Sequence, residues 1–369
     1  MKREKKISKE DLINPSLVVE HIDIEKIDVT AYFEACRKMG FTARDMWATA
    51  EIYSRMLRDK GCKVFLTIAG SATAAGCMDV PVKMVENNMV DVIVSTGAAI
   101  VDMDFFEALG RRHYQLFAKG IDDELLHIWG LDRIYDTIIQ EEELQMCDSI
   151  ISNIAQRLTP RSYSSCEFIY EMGKFLVNET FPLGLKKDTK KNSLVETCYR
   201  HKVPIFCPAF TDSSAGFGLA MHQQGRINKG EDYLKIDAAS DFRFLTELVI
   251  KANQTGGSTG LFMIGGGTPK NFMQDTVVCA EAMGYPVNMH KYAVQITVAD
   301  VRDGGCSSST LNEANSWGKV DQDNTQMLYD EATKSWPLIV SQVWRQNKEI
   351  LASRTRSHYL DHLFPFFIG

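Results

Sequence analysis

The chain has 369 residues, 45% of them hydrophobic and 24% charged, with a formal net charge of −7, enough apolar material for a large core and no basic surplus for a phosphate backbone. Nucleic-acid binding is therefore not expected, which leaves small molecules or a basic partner. No apolar run is long enough to span a bilayer, and the nine cysteines, odd in number and never spaced C-x-x-C, argue against a disulfide framework or a zinc site; a reducing cytoplasm is expected, with no membrane and no metal.

Residues 1–30 are polar and broken by the turn Asn14-Pro15-Ser16, and they read as a solvated arm before a single α/β domain over residues 31–369. Between residues 29 and 60 apolar side chains recur at helical spacing (Phe33, Cys36, Met39, then Met46, Ala50, Tyr53, Leu57), with Gly40 separating two helices. Residues 63–68 form a short β-prone run that leads into the small residues 69–76. A helix to Asn88 follows, then a second run at 90–96 ending in Gly97-Ala98-Ala99. Strand, small-residue loop, helix, twice over, is the pattern of a parallel sheet flanked by helices. Further strands are expected at 203–206, 260–264 and 292–299, and the charged middle, 121–200, reads as helices packed on that sheet.

The loops at 70–76 and Gly265-Gly266-Gly267 follow strands and precede helices, where bare amides and a helix N-terminus can hold a pyrophosphate. Neither matches G-x-G-x-x-G or a Walker loop, so each is equally a tight turn. Asp212, after the strand at 203–206, is placed to accept from ribose hydroxyls or to cap a helix. Residues 300–319, DVRDGGCSSSTLNEANSWGK, bring together Asp300, Asp303 and Glu313, a run of hydroxyls including Ser307, the aromatic Trp317 and Lys319. Carboxylates beside an aromatic wall suit a polyamine, and a lysine held there becomes a nucleophile when its neutral form is favoured. The plain alternative is a surface lysine beside a core tryptophan. His113, His127, His201, His222 and His290 show no metal-ligand spacing, and no G-x-S-x-G elbow supports serine hydrolysis.

The segment EANSWGK (residues 313–319) resembles the signature EAVSWGK of deoxyhypusine synthase. PAFTD (208–212) is similar to that family's PALTD, NNMVDVIVSTGA (87–98) to its HNMVDVLVTTAG, and the triple glycine to its GGG. The ordered matches identify the chain as a member of the deoxyhypusine synthase family. The resemblance implies a Rossmann-like NAD-binding fold assembled as a homotetramer with sites between paired subunits. It also implies NAD-dependent oxidation of a polyamine, spermidine or putrescine, and passage of the aminobutyl group through an imine on the enzyme lysine to an acceptor amine. By position, Lys319 is that lysine, with Glu313, Trp317, Ser307, Asn271 and Asp275 around the substrate. Gly70, Ser71, Thr96, Gly97, Ala98, Asp102, Asp212, Gly266, Asp303, Glu331 and Ala332 surround NAD.

The departures fall on the polyamine side. A family histidine is Asn271, an asparagine four residues on is Asp275, an aspartate is Phe217, a tyrosine is Gln295 and another aspartate is Cys306. An amide does no acid–base work near neutral pH. This set resembles the deoxyhypusine synthase-like branch, with the acceptor a small amine giving a homospermidine-type product, or a protein lysine. Two other readings stay open: a polyamine- or NAD-binding protein without turnover, and an NAD-dependent amine oxidase.

Overall fold

The computed structural model describes residues 7–117, 121–178, 193–305, 307, 309–356 and 359. Its centre is a six-stranded, wholly parallel sheet made of β1 (Cys62–Ile68), β2 (Val92–Ser95), β3 (Ile205–Phe206), β4 (Ser258–Ile264), β5 (Tyr292–Thr297) and β6 (Thr325–Tyr329). The spatial order is β6-β5-β4-β1-β2-β3. This is the 3-2-1-4-5-6 order of a doubly wound sheet, whose topological switch lies between β1 and β4. Those two strands pair over their full lengths, from Cys62 with Ser258 to Ile68 with Ile264.

The strands read as unbroken apolar runs because both faces are covered. Alternate residues point to opposite sides. Val64, Leu66, Ile68, Ile93, Phe262, Ile264, Val294 and Ile296 pack with Tyr53, Trp336 and Val343 from the helices Phe41–Arg58 and Ala332–Ser353. Phe65, Val92, Val94, Leu261, Met263 and Ala293 face the other way, onto Leu245 and Val249 of Ala238–Gln254 and Leu311 and Ala314 of Leu311–Ser316.

Four expectations change. The N-terminal segment is not a solvated arm from residue 7 on: Ile24 is fully buried, and Ser341 Oγ donates to the carbonyls of Ile24 and Ile27 at 2.8 and 2.9 Å. The middle is not all helix, because Tyr114–Gln115, Leu131–Ile134 and Thr137–Gln140 form a small antiparallel sheet. β6 was not foreseen because it is an edge strand in which Leu328 alone is buried, so its apolar signal is thin. Trp317, read on the plain alternative as a core anchor, is 67% exposed. The eight described cysteines are free, and among the described residues no helix is long and apolar enough to cross a membrane.

Candidate active site

Two cavities adjoin at the C-terminal ends of the strands, the position where open parallel sheets bind ligands. The larger, about 550 Å³, is lined by Gly70, Ser71, Gly266, Ser307, Glu331 and Ala332, together with Tyr135 to Thr137 of the small sheet. The smaller, about 260 Å³, is lined by Thr96, Gly97, Ala98 and Asp212 and shares Gly70, Ser71 and Gly266 with the first. Nine of the eleven residues expected around a dinucleotide are thus brought together. Asp303, exposed on a turn, and Asp102 line neither cavity. Asp102 Oδ1 instead accepts the Ser214 N–H at 2.7 Å, and burial pushes its carboxyl up to about 6 against that bond, with Asp148 and Asp212 adding to the rise.

The helix after the cavity floor is capped by Ser213, whose Oγ accepts the Ala215 N–H at 3.2 Å. Asp212 is therefore not the cap and stays exposed at the rim of the smaller cavity. Gly266 is required by close approach, since a Cβ there would lie 2.1 Å from the Ser307 carbonyl oxygen. Glu331 caps the last long helix, accepting from Thr333 N and Lys334 N at 3.0 and 3.2 Å.

Lys319 belongs to a second cluster, on the side of the sheet where Leu311 and Ala314 are buried. Thr310 and Glu313 form a capping box at the start of the short helix Leu311–Ser316. At its end Gly318 N–H donates to Asn315 O at 2.9 Å and Lys319 N–H to Ala314 O at 3.0 Å, the paired bonds of a Schellman motif. Gly318, at φ +70°, supplies the left-handed residue that motif needs and turns Lys319 away from the helix. The emerging chain is pinned by His290, whose N–H donates to Lys319 O at 3.0 Å and whose carbonyl accepts from Asp321 N.

The Lys319 side chain, 12% exposed, pairs with Asp275 at 2.5 Å and lies 5.1 Å above the Trp317 ring. Asn271, one turn before Asp275, is exposed. Glu313 is exposed too and held in its own cap; its bond to the Thr310 N–H keeps its carboxyl below the usual range. Phe217, 67% exposed, lines neither cavity. Cys306 lies outside the described residues.

Sequence reasoning missed Lys270. It is fully buried, and its ammonium donates to Gln295 Oε1 at 2.8 Å and to the Ser309 carbonyl. Burial brings its pKa down to about 8, with Glu313 opposing the fall and Lys319 adding to it. A lysine at the fourth position of the glycine-led helix Gly267–Gln274 was the available signal, masked because lysines are so rarely buried.

A family model described as deoxyhypusine synthase matches residues 31–343. The chain belongs to the deoxyhypusine synthase family. It is 56% identical to a deoxyhypusine synthase-like protein of Caulobacter vibrioides over 330 residues, which cover 89% of this chain and 87% of that one. It is 55% identical to a deoxyhypusine synthase-like protein of Coxiella burnetii, with 89% of both chains covered, and 49% identical to one from Chlorobaculum tepidum, with 93% and 94% covered. Among solved structures, an Entamoeba histolytica protein assigned to deoxyhypusine synthase matches 92% of this chain and 99% of its own with a TM-score of 0.55 at 19% identity, a likeness of fold. Deoxyhypusine synthase family members are aminobutyltransferases, so this chain is an enzyme of the alkyl-transferring class, and the deoxyhypusine synthase-like resemblance read from EANSWGK stands.

Proposed function

We propose that the protein is an NAD-dependent aminoalkyl transferase that takes a group from a polyamine such as spermidine or putrescine, carries it as an imine on Lys319 and delivers it to an acceptor amine. The observation that carries this reading is the Lys319 side chain, 12% exposed, beside the Asp275 carboxylate and 5.1 Å from the Trp317 ring centre, groups suited to holding a cationic substrate next to an amine.

The double cavity suits a dinucleotide. Glycine-bounded loops lead into the starts of Ala98–Phe105 and Gly267–Gln274 where these border the cavities. Asp212 lines the smaller cavity and Glu331 the larger, each a carboxylate that can accept from ribose hydroxyls. NAD, when bound there, supplies the oxidation of the amine and the return of the hydride. Gly70, Ser71, Gly97 and Gly266 would hold its phosphates, and Trp317 and Asp275 would orient the substrate cation.

Lys319 lines neither cavity, and helix Gly267–Gln274, about 12 Å long at 1.5 Å per residue, separates the glycine loop from Asp275. That separation within one chain fits a site that a second subunit completes, as in the homotetramer the family resemblance implies.

The test is incubation with NAD and spermidine or putrescine, a borohydride quench and peptide mass analysis. A mass increment on Lys319, absent in Lys319→Ala, is expected, and its size identifies the donated group. If Lys319→Ala transfers at full rate, the reading is wrong. Accumulating NADH without product would instead mark an oxidase. Radiolabel passed to a free diamine rather than to a protein lysine identifies the acceptor as a small amine.

A further inference from the structure

We infer that Asp275 is the proton carrier for Lys319, accepting the ammonium proton as the amine attacks and returning it to the amine that departs. This rests on the functional reading above. The observation is a direct ion pair: Asp275 Oδ1 lies 2.5 Å from Lys319 Nζ, close enough for a proton to pass between them with no bridging water.

The two residues are placed by independent pieces of the fold. Asp275 ends the helix Gly267–Gln274, its N–H donating to the Asn271 carbonyl at 2.8 Å, so residues 271 and 275 share one helix face. Asn271 is an amide that carries no proton near neutral pH, and one turn on stands a carboxylate that does. The acid–base function lost at 271 is therefore available at 275. Lys319 reaches the same point from the far side through the Gly318 turn and the His290 backbone bonds.

Lys270 stands near Lys319 as a second cation, fixed by Gln295 and the Ser309 carbonyl, and the carboxylate that pairs with Lys319 is Asp275. Glu313 faces Lys270. The His290 imidazole is occupied with Thr259 Oγ1 at 2.7 Å and the Met273 carbonyl at 3.3 Å, and burial holds it down to about 4, so it is a neutral support rather than a competing base.

The step balances without a redox change. The Lys319 ammonium gives one proton to the Asp275 carboxylate, and the freed lone pair forms a bond to the carbon of the substrate iminium. A second proton then moves within the adduct from the lysine nitrogen to the departing nitrogen, the carbon–nitrogen bond to that nitrogen breaks, and the iminium is left on Lys319. The departing amine takes the proton that Asp275 held and leaves as an ammonium, which restores the carboxylate.

A plain counter-ion and a proton carrier predict opposite results for Asp275→Asn. Removing the negative charge alone makes the neutral amine of Lys319 more abundant at a given pH. If Asp275 were only a counter-ion, the variant would form the borohydride-trapped adduct as fast as the native protein or faster, with its profile moved to lower pH, and this would overturn the proposal. As a proton carrier, its loss lowers the trapping rate by about 10²-fold or more at every pH from 6 to 9, even though Lys319 reacts more readily with trace acetic anhydride. Asp275→Ala then regains about tenfold in rate with added formate, and Asp275→Glu keeps an intermediate rate. NAD titration and thermal unfolding matching the native protein confirm that Asp275→Asn is folded. Absence of any adduct in the native protein would sink the transferase reading, and the proposal with it, whereas a native adduct with an unimpaired Asp275→Asn sinks the proposal alone.

Discussion

Lys270 Nζ donates to Gln295 Oε1 at 2.8 Å, and the same amide donates through Nε2 to the Gly265 carbonyl at 2.9 Å. One side chain of β5 thus joins a buried cation to the glycine loop that borders both cavities. A tyrosine at this position, as in the family pattern, could not both accept from a lysine and present a two-hydrogen donor to the loop.

Because burial lowers the pKa of Lys270 from 10.5 to about 8, the unfolded chain binds more protons than the folded one between those values. Stability should therefore rise with pH through that window, by about 3 kcal/mol at most. Urea unfolding of the native protein and Lys270→Met at pH 7, 8.5 and 10 checks it. The native gain should be missing in the variant.

Gly266→Ala places a methyl 2.1 Å from the Ser307 carbonyl oxygen, so the Ser307 segment must shift. A loss of NAD affinity of tenfold or more, about 1.4 kcal/mol, is expected by calorimetric titration. Gly225→Ala is the control. It lies inside the helix Ser214–Ile227 with no atom within 4 Å of the added methyl, and should stabilise by about 0.5–1 kcal/mol without touching NAD binding.

Gly318→Ala forces an alanine to φ +70° or breaks the Schellman bonds. The expected cost is about 1 kcal/mol of stability, with a larger relative effect on the Lys319 adduct because the lysine follows the turn directly. Gly318→Asn, which tolerates the left-handed region better, should recover part of both. Thermal unfolding and trapping yield, measured on the same samples, separate the two effects.

His290 is fully buried with its pKa held to about 4, below its ordinary 6.5, by desolvation. Here too the unfolded state binds more protons inside the window, so stability falls as pH drops from 6.5 towards 4, by about 3 kcal/mol at most. His290→Gln should flatten that acid limb of the stability profile. A limb unchanged in the variant would assign the acid sensitivity elsewhere.

Local pattern alone determined a good deal of this protein. The runs that became β1, β2, β4 and β5 are continuous and apolar because both faces of each strand are covered, and a two-faced buried strand is legible as such. The small residues after them marked the cavity floor, and EANSWGK marked the family. What depended on tertiary structure was invisible for stated reasons. β6 has a single buried side chain, so edge burial left no run to read. The polar N-terminal segment packs through backbone carbonyls, which any residue carries, onto Ser341 and Arg345. Asp212 and Ser213 are equivalent caps by type, and the chain path chose Ser213. Lys270 and Gln295 are 25 residues apart in sequence, and Asp275 and Lys319 lie on separate elements. Pairs of that kind arise from β4 and β5 lying side by side, because sequence spacing governs contacts within one helix or strand whereas charge pairing in a folded site is set by which elements the sheet makes neighbours.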